Sequence, residues 1–259
     1  MIVKYKGVIL AAGKGTRLRP LTEVTNKILL PVFDQPMIVG PINTLKALGV
    51  EDICIVTSKE HLSSFMKFLG DGSTFNVKFT YIVQDKPLGI AHALLQAEDF
   101  FKGSKVVATL GDNIYEKVKV DRSALEDEFA YIFLKDVAHP QRFGVAELDN
   151  SGHVTRIEEK PKRPKTAHAV TGLYIYPDDV FEFIKSMKPS ERGEFEITDV
   201  NNHYINTGKL RATKVDGYWL DTGTFESLLK ASIIKALESD PDMFEGIDKN
   251  AMIAALSRV

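Results

Sequence analysis

The sequence predicts an α/β fold: a mixed, mainly parallel sheet with helices on both faces and an appended β region. Two observations carry this expectation. In the first half, short apolar runs alternate with segments of helical period. Strands separated by helices of about 10–15 residues imply right-handed βαβ units. In the second half the helices thin out and strands follow one another through short polar turns such as Asp149-Asn150-Ser151-Gly152.

The elements follow in order. Residues 8–11 form an apolar run that ends in a Gly-rich loop. Ile38, Ile42, Leu45 and Leu48 keep helical spacing, and Gly49 stops that helix. Residues 52–57 read as a buried strand. A helix over 61–69 ends at Gly70, and residues 77–83 alternate as a strand. A helix over 90–101 leads to a strand over 105–110 that closes at Gly111-Asp112. The second half reads as strands over 130–135, 144–148, 154–158 and 170–176, with helices near 179–187 and 197–207. A strand over 210–215, a long helix over 225–237 and an amphipathic helix over 248–256 complete the chain. The expected division is one domain over 1–240 and a helical tail over 241–259. In open α/β sheets ligands bind at the carboxyl ends of the strands, where the Gly-rich loop and Asp112 fall.

Composition narrows the function. The 259 residues are 44% hydrophobic and 26% charged, with a formal charge of -2. A nucleic-acid binder would carry a basic stripe, so no nucleic-acid partner is expected. No apolar run reaches the roughly 18 residues of a membrane span, so no membrane partner is expected either. The N-terminal Met1-Ile2-Val3-Lys4-Tyr5-Lys6-Gly7 begins a strand and does not read as a signal peptide; the cytoplasm is the default location. The one cysteine, Cys54, lies in Ile53-Cys54-Ile55-Val56 and reads as a small buried hydrophobe.

Leu10-Ala11-Ala12-Gly13-Lys14-Gly15-Thr16-Arg17-Leu18 is the first segment with chemistry. Glycines after a strand let backbone N–H groups approach phosphate oxygens. A dinucleotide fingerprint would need Gly where Leu18 stands. A Walker A loop would need Gly at Val8 and Ser or Thr at Gly15, so both rules fail. A Gly-x-Gly turn also serves any tight β-to-loop connection. Arg17 and Lys27 beside it point instead to a polyphosphate neutralised by two cations.

This loop, with Asn26-Lys27-Ile28-Leu29-Leu30-Pro31-Val32, resembles the signature of the sugar nucleotidylyltransferases, and among them the glucose-1-phosphate thymidylyltransferases of short form. The resemblance continues through Val83-Gln84-Asp85, Leu110-Gly111-Asp112-Asn113, Arg142-Phe143-Gly144-Val145, Ile157-Glu158-Glu159-Lys160-Pro161 and Ala169-Val170-Thr171-Gly172-Leu173-Tyr174. It ends with Glu194-Phe195-Glu196-Ile197-Thr198-Asp199-Val200-Asn201 and Trp219-Leu220-Asp221-Thr222-Gly223-Thr224. It is colinear from Gly7 to about Ser232.

The resemblance implies a Rossmann-like nucleotide-diphospho-sugar transferase fold. It implies transfer of a nucleotidyl group from dTTP (or UTP) to a sugar 1-phosphate, with Mg²⁺ as cofactor and pyrophosphate as leaving group. It also implies a homo-oligomer, dimer or tetramer. Nucleotide contacts carry over to Leu10, Ala12, Gly13, Gly15, Thr16, Arg17, Gln84, Gly89 and Asp112, with Arg17 and Lys27 on the phosphates and Gln84 and Gly89 on the pyrimidine edge. Asp112 and Asp221 are the implied metal ligands. Gly144, Glu159 and Val170 are implied sugar contacts, Lys160 the clamp on the sugar phosphate, and Arg192 its helper. Arg17, Lys27, Asp112, Lys160 and Asp221 form the implied catalytic set. Such a transfer needs positioning and charge neutralisation more than covalent chemistry, and its nucleophile is already an anion. None of the six histidines therefore needs a role.

The sequence departs from the family pattern at Ala12, at Val39-Gly40 and at His92, where relatives carry Gly, an aromatic pair and Gln. The competing readings are a uridylyltransferase, a transferase for another sugar phosphate, and a non-catalytic subunit that senses nucleotide sugars. The last would have lost a metal carboxylate or a phosphate-binding cation. A nicotinamide-dependent oxidoreductase is disfavoured by the missing third Gly.

Overall fold

The computed structural model describes residues 4–120 and 128–256; the first three residues of the strand expected at the N-terminus lie outside them. Among the described residues thirteen strands are formed: β1 (Lys4–Leu10), β2 (Pro31–Val32), β3 (Gln35–Pro36), β4 (Asp52–Thr57), β5 (Lys78–Val83), β6 (Ser104–Leu110), β7 (Asn113–Tyr115), β8 (Ala130–Asp136), β9 (Gly144–Leu148), β10 (Val154–Glu159), β11 (His168–Tyr176), β12 (Leu210–Lys214) and β13 (Trp219–Asp221). The helices are α1 (Val39–Ala47), α2 (Leu62–Leu69), α3 (Ile90–Leu95), α4 (Glu98–Phe101), α5 (Val180–Ser186), α6 (Ile197–Asn206), α7 (Phe225–Ser239) and α8 (Lys249–Leu256).

Nine strands make one sheet in the order β10-β9-β11-β6-β1-β4-β5, with β8 beside β11 and β12 beside β8. β6, β1, β4 and β5 run parallel. β11 joins β6 antiparallel and carries the β9–β10 hairpin and β8. This is the appended β region.

Residue parity explains why the sheet is covered on both sides. Ile9, Ile53, Ile55 and Val107 face a core closed by Ile42, Leu45, Phe65, Leu69 and Ile234. Val8, Cys54, Val56 and Val106 face the opposite core, with Leu94, Phe101, Ile184 and Tyr204. Strands buried on both faces read as continuous apolar runs, as 52–57 does. Cys54 is fully buried among these apolar neighbours, and that burial pushes its thiol up to about 12.

The structure corrects several expectations. The helix expected over 90–101 breaks into α3 and α4. Ala97 N–H turns back to Leu94 O at 3.0 Å, which tightens the chain and buries both Ala97 and Phe101. β2, β3, β7 and β13 carry no readable period because each spans only two or three residues. The segment 16–29 folds as three 3-10 turns, a conformation favoured in short pieces. In the tail, Ile253 and Leu256 of α8 pack against the core. Among the described residues no helix is long and apolar enough to cross a membrane.

Candidate active site

Four carboxyl ends of strands meet in one cleft of about 780 Å³. β1 delivers Leu10 and the Gly-rich loop, β5 delivers Gln84, and β6 delivers Asp112; β13 ends at Asp221. Every site residue expected from sequence lines this cleft except Gly15.

The loop is built around Asn26. Its side chain is buried, donates to Ala11 O at 3.1 Å and accepts from Ile28 N–H at 2.9 Å. One amide thus ties the Gly-rich loop to the 3-10 turn that begins at Lys27. Gly15 turns the chain at φ +61°. A Cβ there would lie 2.9 Å from both Lys27 Cβ and Thr22 Cγ2. Its contribution is the turn that seats Lys27 and Arg17, and the wall facing the cleft is made by its neighbours.

Lys27 pairs directly with Asp112. Asp221 joins them because β13 pairs β7 with Asp221 opposite Asn113, one residue beyond Asp112. Thr222 seals the junction: its N–H and its hydroxyl both donate to Asp112 O, at 3.0 and 2.8 Å. Two carboxylates 109 positions apart in sequence are thereby held at one point of the cleft. Their protonation differs. Burial works to raise the Asp112 carboxyl, but Lys27 and the Asn113 amide outweigh it and hold it below the ordinary range. Asp221 is raised, first by burial and then by the Asp112 charge; Arg17, Lys27 and Arg142 offset this only in part.

That arrangement fits a metal. Asp221 stays costly to ionise until further positive charge enters beside the pair. Mg²⁺ is commonly held by one or two carboxylates, with substrate phosphates completing its shell. Asp112 and Asp221 are the carboxylate pair that could hold such an ion; among the described residues no group of three or more His, Cys, Asp or Glu is formed.

At the β5 end of the cleft, Gln84 is almost fully buried just beyond β5 and continues the ladder through its N–H to Thr57 O at 2.8 Å. Gly89 caps α3 at φ +102°, where a Cβ would lie 2.6 Å from Phe195 O; only glycine lets the two segments close this far. On the opposite side, Glu159 accepts from the Thr198 hydroxyl at 2.6 Å, and Gly144 lies against the same pair. Lys160 sits at φ +43°, a strained conformation for a non-glycine residue. Its Nζ lies 3.2 Å from Glu159 Oε1. Arg192, expected on the sugar phosphate, is held by Glu194 at 2.9 Å, Glu196 at 3.4 Å and Glu159 at 3.6 Å. The cleft thus brings together a buried amide, the Asp112–Asp221 carboxylates with the cations Lys14, Arg17, Lys27 and Arg142, and a Lys160–Glu159–Arg192 cluster.

A nucleotidyl transferase family model matches residues 6–236. The chain belongs to the nucleotidyl transferase family. Among curated relatives, a glucose-1-phosphate thymidylyltransferase of Neisseria meningitidis serogroup A is 44% identical over 233 residues, covering 88% of this chain and 81% of that protein. One from Mycobacterium tuberculosis is 41% identical over 239 residues, covering 90% and 83%. A crystal structure described as a glucose-1-phosphate thymidylyltransferase from Bacillus anthracis, in complex with a sucrose, superposes with TM-score 0.85 at 46% identity. It covers 95% of this chain and 99% of that one. A UDP-glucose pyrophosphorylase bound to UDP-glucose shares the fold, with TM-score 0.79 at 24% identity over 91% of this chain.

This nucleotidyl transferase has cleft residues to which the sequence alone assigned no role. Asn113 Nδ2 donates to Asp112 Oδ1 at 3.0 Å, while its Oδ1 accepts from Trp219 Nε1 at 2.6 Å and Gly172 N at 3.0 Å. One side chain so joins β7, β11 and β13 beneath the carboxylates. Arg142 lies 3.5 Å from Asp221 Oδ2, and Trp219 packs on Phe143. The signal for Asn113 was its place beside Asp112, and for Arg142 its place beside Gly144. His92, given no role, lies 2.7 Å from Gln84.

Proposed function

We propose that the chain transfers a thymidylyl group from dTTP to glucose 1-phosphate, giving dTDP-glucose and pyrophosphate. The observation that carries this reading is the single cleft lined by Gln84, Arg17, Lys27, Asp112, Asp221, Glu159 and Lys160, in which the Gly-rich loop after β1 and Asp112 after β6 come from strands set between β5, which Gln84 follows, and β10, which ends at Glu159. The order matches the order of groups in the two substrates: base, phosphates, then sugar. The relatives named for this reaction, 41–44% identical over most of the chain, support the choice of dTTP and glucose 1-phosphate.

The chemistry follows from charge. An oxygen of the sugar phosphate attacks the α-phosphorus of the nucleotide in line, and the bond to the β-phosphate oxygen breaks. The nucleophile is already anionic, so no general base is required; the barrier lies in bringing anions together and holding them aligned. Arg17 and Lys27 receive the charge of the departing pyrophosphate. Lys160, held over the cleft by its strained backbone, orients the attacking phosphate, with Arg192 beside it. Gln84 and Gly89 read the pyrimidine edge, and Gly144, Glu159 and Val170 contact the sugar. Asp112 and Asp221 would hold one Mg²⁺, which would supply Lewis-acid charge neutralisation at the phosphates. Lys27 also keeps Asp112 ionised and ready for it.

The same reading takes residues 1–240 as one catalytic domain with a helical tail over 241–259, acting as a homo-oligomer in the cytoplasm. Family membership supports it. The test is pyrophosphate release across dTTP, UTP, ATP and GTP, each with and without glucose 1-phosphate. Release should require both substrates and be fastest with dTTP, with UTP used less well. Equal or faster release with ATP or GTP overturns the assignment.

A further inference from the structure

We infer that His92 is the residue that sets which way the Gln84 amide faces, and that it thereby determines selection of thymine over cytosine. The inference rests on the reading of Gln84 as the base contact.

A primary amide carries an acceptor at one corner and a donor at the other, and rotation by 180° exchanges them. Such a group reads a base only when its orientation is fixed. Gln84 is almost fully buried at the end of β5, so solvent does not fix it. His92, on the first turns of α3, does: Gln84 Nε2 lies 2.7 Å from His92 Nδ1. The imidazole packs against Phe195, whose ring centroid lies 5.9 Å away, and Gln96 Nε2 donates to His92 O at 3.3 Å. His92 does not line the cleft, so it acts through Gln84 and not on a substrate.

The polarity of the contact gives its consequence. With Gln84 Nε2 donating, Nδ1 must be the unprotonated ring nitrogen and the proton sits on Nε2. Burial keeps the ring neutral by lowering its affinity for a second proton. On the other side Gln96 Nε2 donates to His92 O at 3.3 Å, so its 3.4 Å approach to His92 Nε2 is a contact between two donors and not a hydrogen bond. Gln84 is then locked with Oε1 available to a ligand as an acceptor and with one remaining N–H as a donor. Thymine offers the complement, a ring N–H between two carbonyl oxygens. Cytosine offers a bare ring nitrogen and an amino group at the same places, and meets acceptor with acceptor. A site built on fixed hydrogen bonds rejects the mismatched ligand because its own polar groups are left unpaired. Without His92 the amide can turn over and accommodate either base.

The experiment compares wild type, His92→Phe and His92→Asn in steady-state turnover with dTTP and with dCTP. Phe keeps a ring against Phe195 and removes the acceptor; Asn retains a side-chain oxygen near the place of Nδ1. His92→Phe should lower the dTTP-to-dCTP ratio of kcat/KM by about tenfold, the weight of one oriented hydrogen bond, with KM for dTTP rising more than kcat falls. His92→Asn should recover most of the ratio. A ratio unchanged in His92→Phe, or equal losses with both nucleotides, overturns the inference. Wild type with no preference for dTTP over dCTP would instead overturn Gln84 as the base reader, a separate failure. Nitrogen-15 spectra of histidine-labelled wild-type enzyme give a readout free of mutation. His92 should carry its proton on Nε2, and a proton on Nδ1 at neutral pH overturns the inference even if no variant folds.

Discussion

Replacing Lys27 by Met removes one ammonium and little else. The aliphatic stem that packs beside Gly13 and Gly15 remains. The charge it leaves behind is Asp112, whose side chain is 10% exposed, against 17% for Lys27. Breaking a buried ion pair costs about 3–5 kcal/mol because one charge stays buried without a partner; the residual exposure here favours the low end, about 3 kcal/mol. For a chain of this size that lowers the melting temperature by about 6–12 °C. The loss should be largest in EDTA, where Asp112 and Asp221 face each other with less positive charge between them. Adding Mg²⁺ should restore part of it, since a ligand that binds only the folded state stabilises by mass action. The double variant Lys27→Met/Asp112→Asn buries no unpaired charge and should melt above Lys27→Met alone. Thermal and denaturant unfolding with and without Mg²⁺ would measure all four terms. A cost under about 1 kcal/mol, or a double variant no more stable than the single one, would refute the reasoning.

Further outcomes follow from the same geometry. Asp112→Asn and Asp221→Asn should each lower kcat severely while the fold persists. Their combination should add little, because both serve one ion; additive losses would separate their roles. In EDTA, Asp221→Asn should be more stable than wild type at pH 7. The folded-state pKa of Asp221 is raised, so wild type loses stability as pH climbs from the ordinary aspartate range through that raised value. The difference should vanish in melts below the ordinary aspartate range, and an equal gain there would contradict the assignment. Lys160→Ala should raise KM for the sugar phosphate and lower kcat in initial-rate kinetics; a change confined to the nucleotide KM would move Lys160 to the other substrate. Gln84→Ala should raise KM for dTTP and flatten the preference among bases more than it slows turnover. Unaltered dTTP affinity and selectivity would remove it from the base site.

How much of this was legible in the sequence depended on the range of the interactions involved. The parallel core was readable because β1, β4 and β6 are continuous apolar runs set between helices of clear period. The candidate cleft was readable because the Gly-rich loop, Gln84 and Asp112 each follow a strand, and strand ends converge in such sheets. The union of Asp112 with Asp221 depends on a ladder of three residues a side, too short to leave a pattern. Asn26 and Asn113 owe their bracing roles to partners 15 and 106 positions away, and the place of Asn113 beside Asp112 marks only its position in the cleft. For Arg192 the resemblance implies a helper on the sugar phosphate; in the fold it lines the cleft, and the contacts of its guanidinium with Glu159, Glu194 and Glu196 are set by the folded chain. His92 was silent because its partner, eight positions earlier, is a neutral amide brought within reach only by the turn between β5 and α3.

The most direct test follows the phosphorus. The enzyme would be incubated with glucose 1-phosphate, Mg²⁺ and dTTP labelled at either the α- or the γ-phosphorus. The account predicts that α-label appears in dTDP-glucose and γ-label in pyrophosphate, only when both substrates and the metal are present, and that EDTA stops both. Transfer of γ-label to the sugar, or release of α-label as free nucleotide without sugar phosphate, would contradict it.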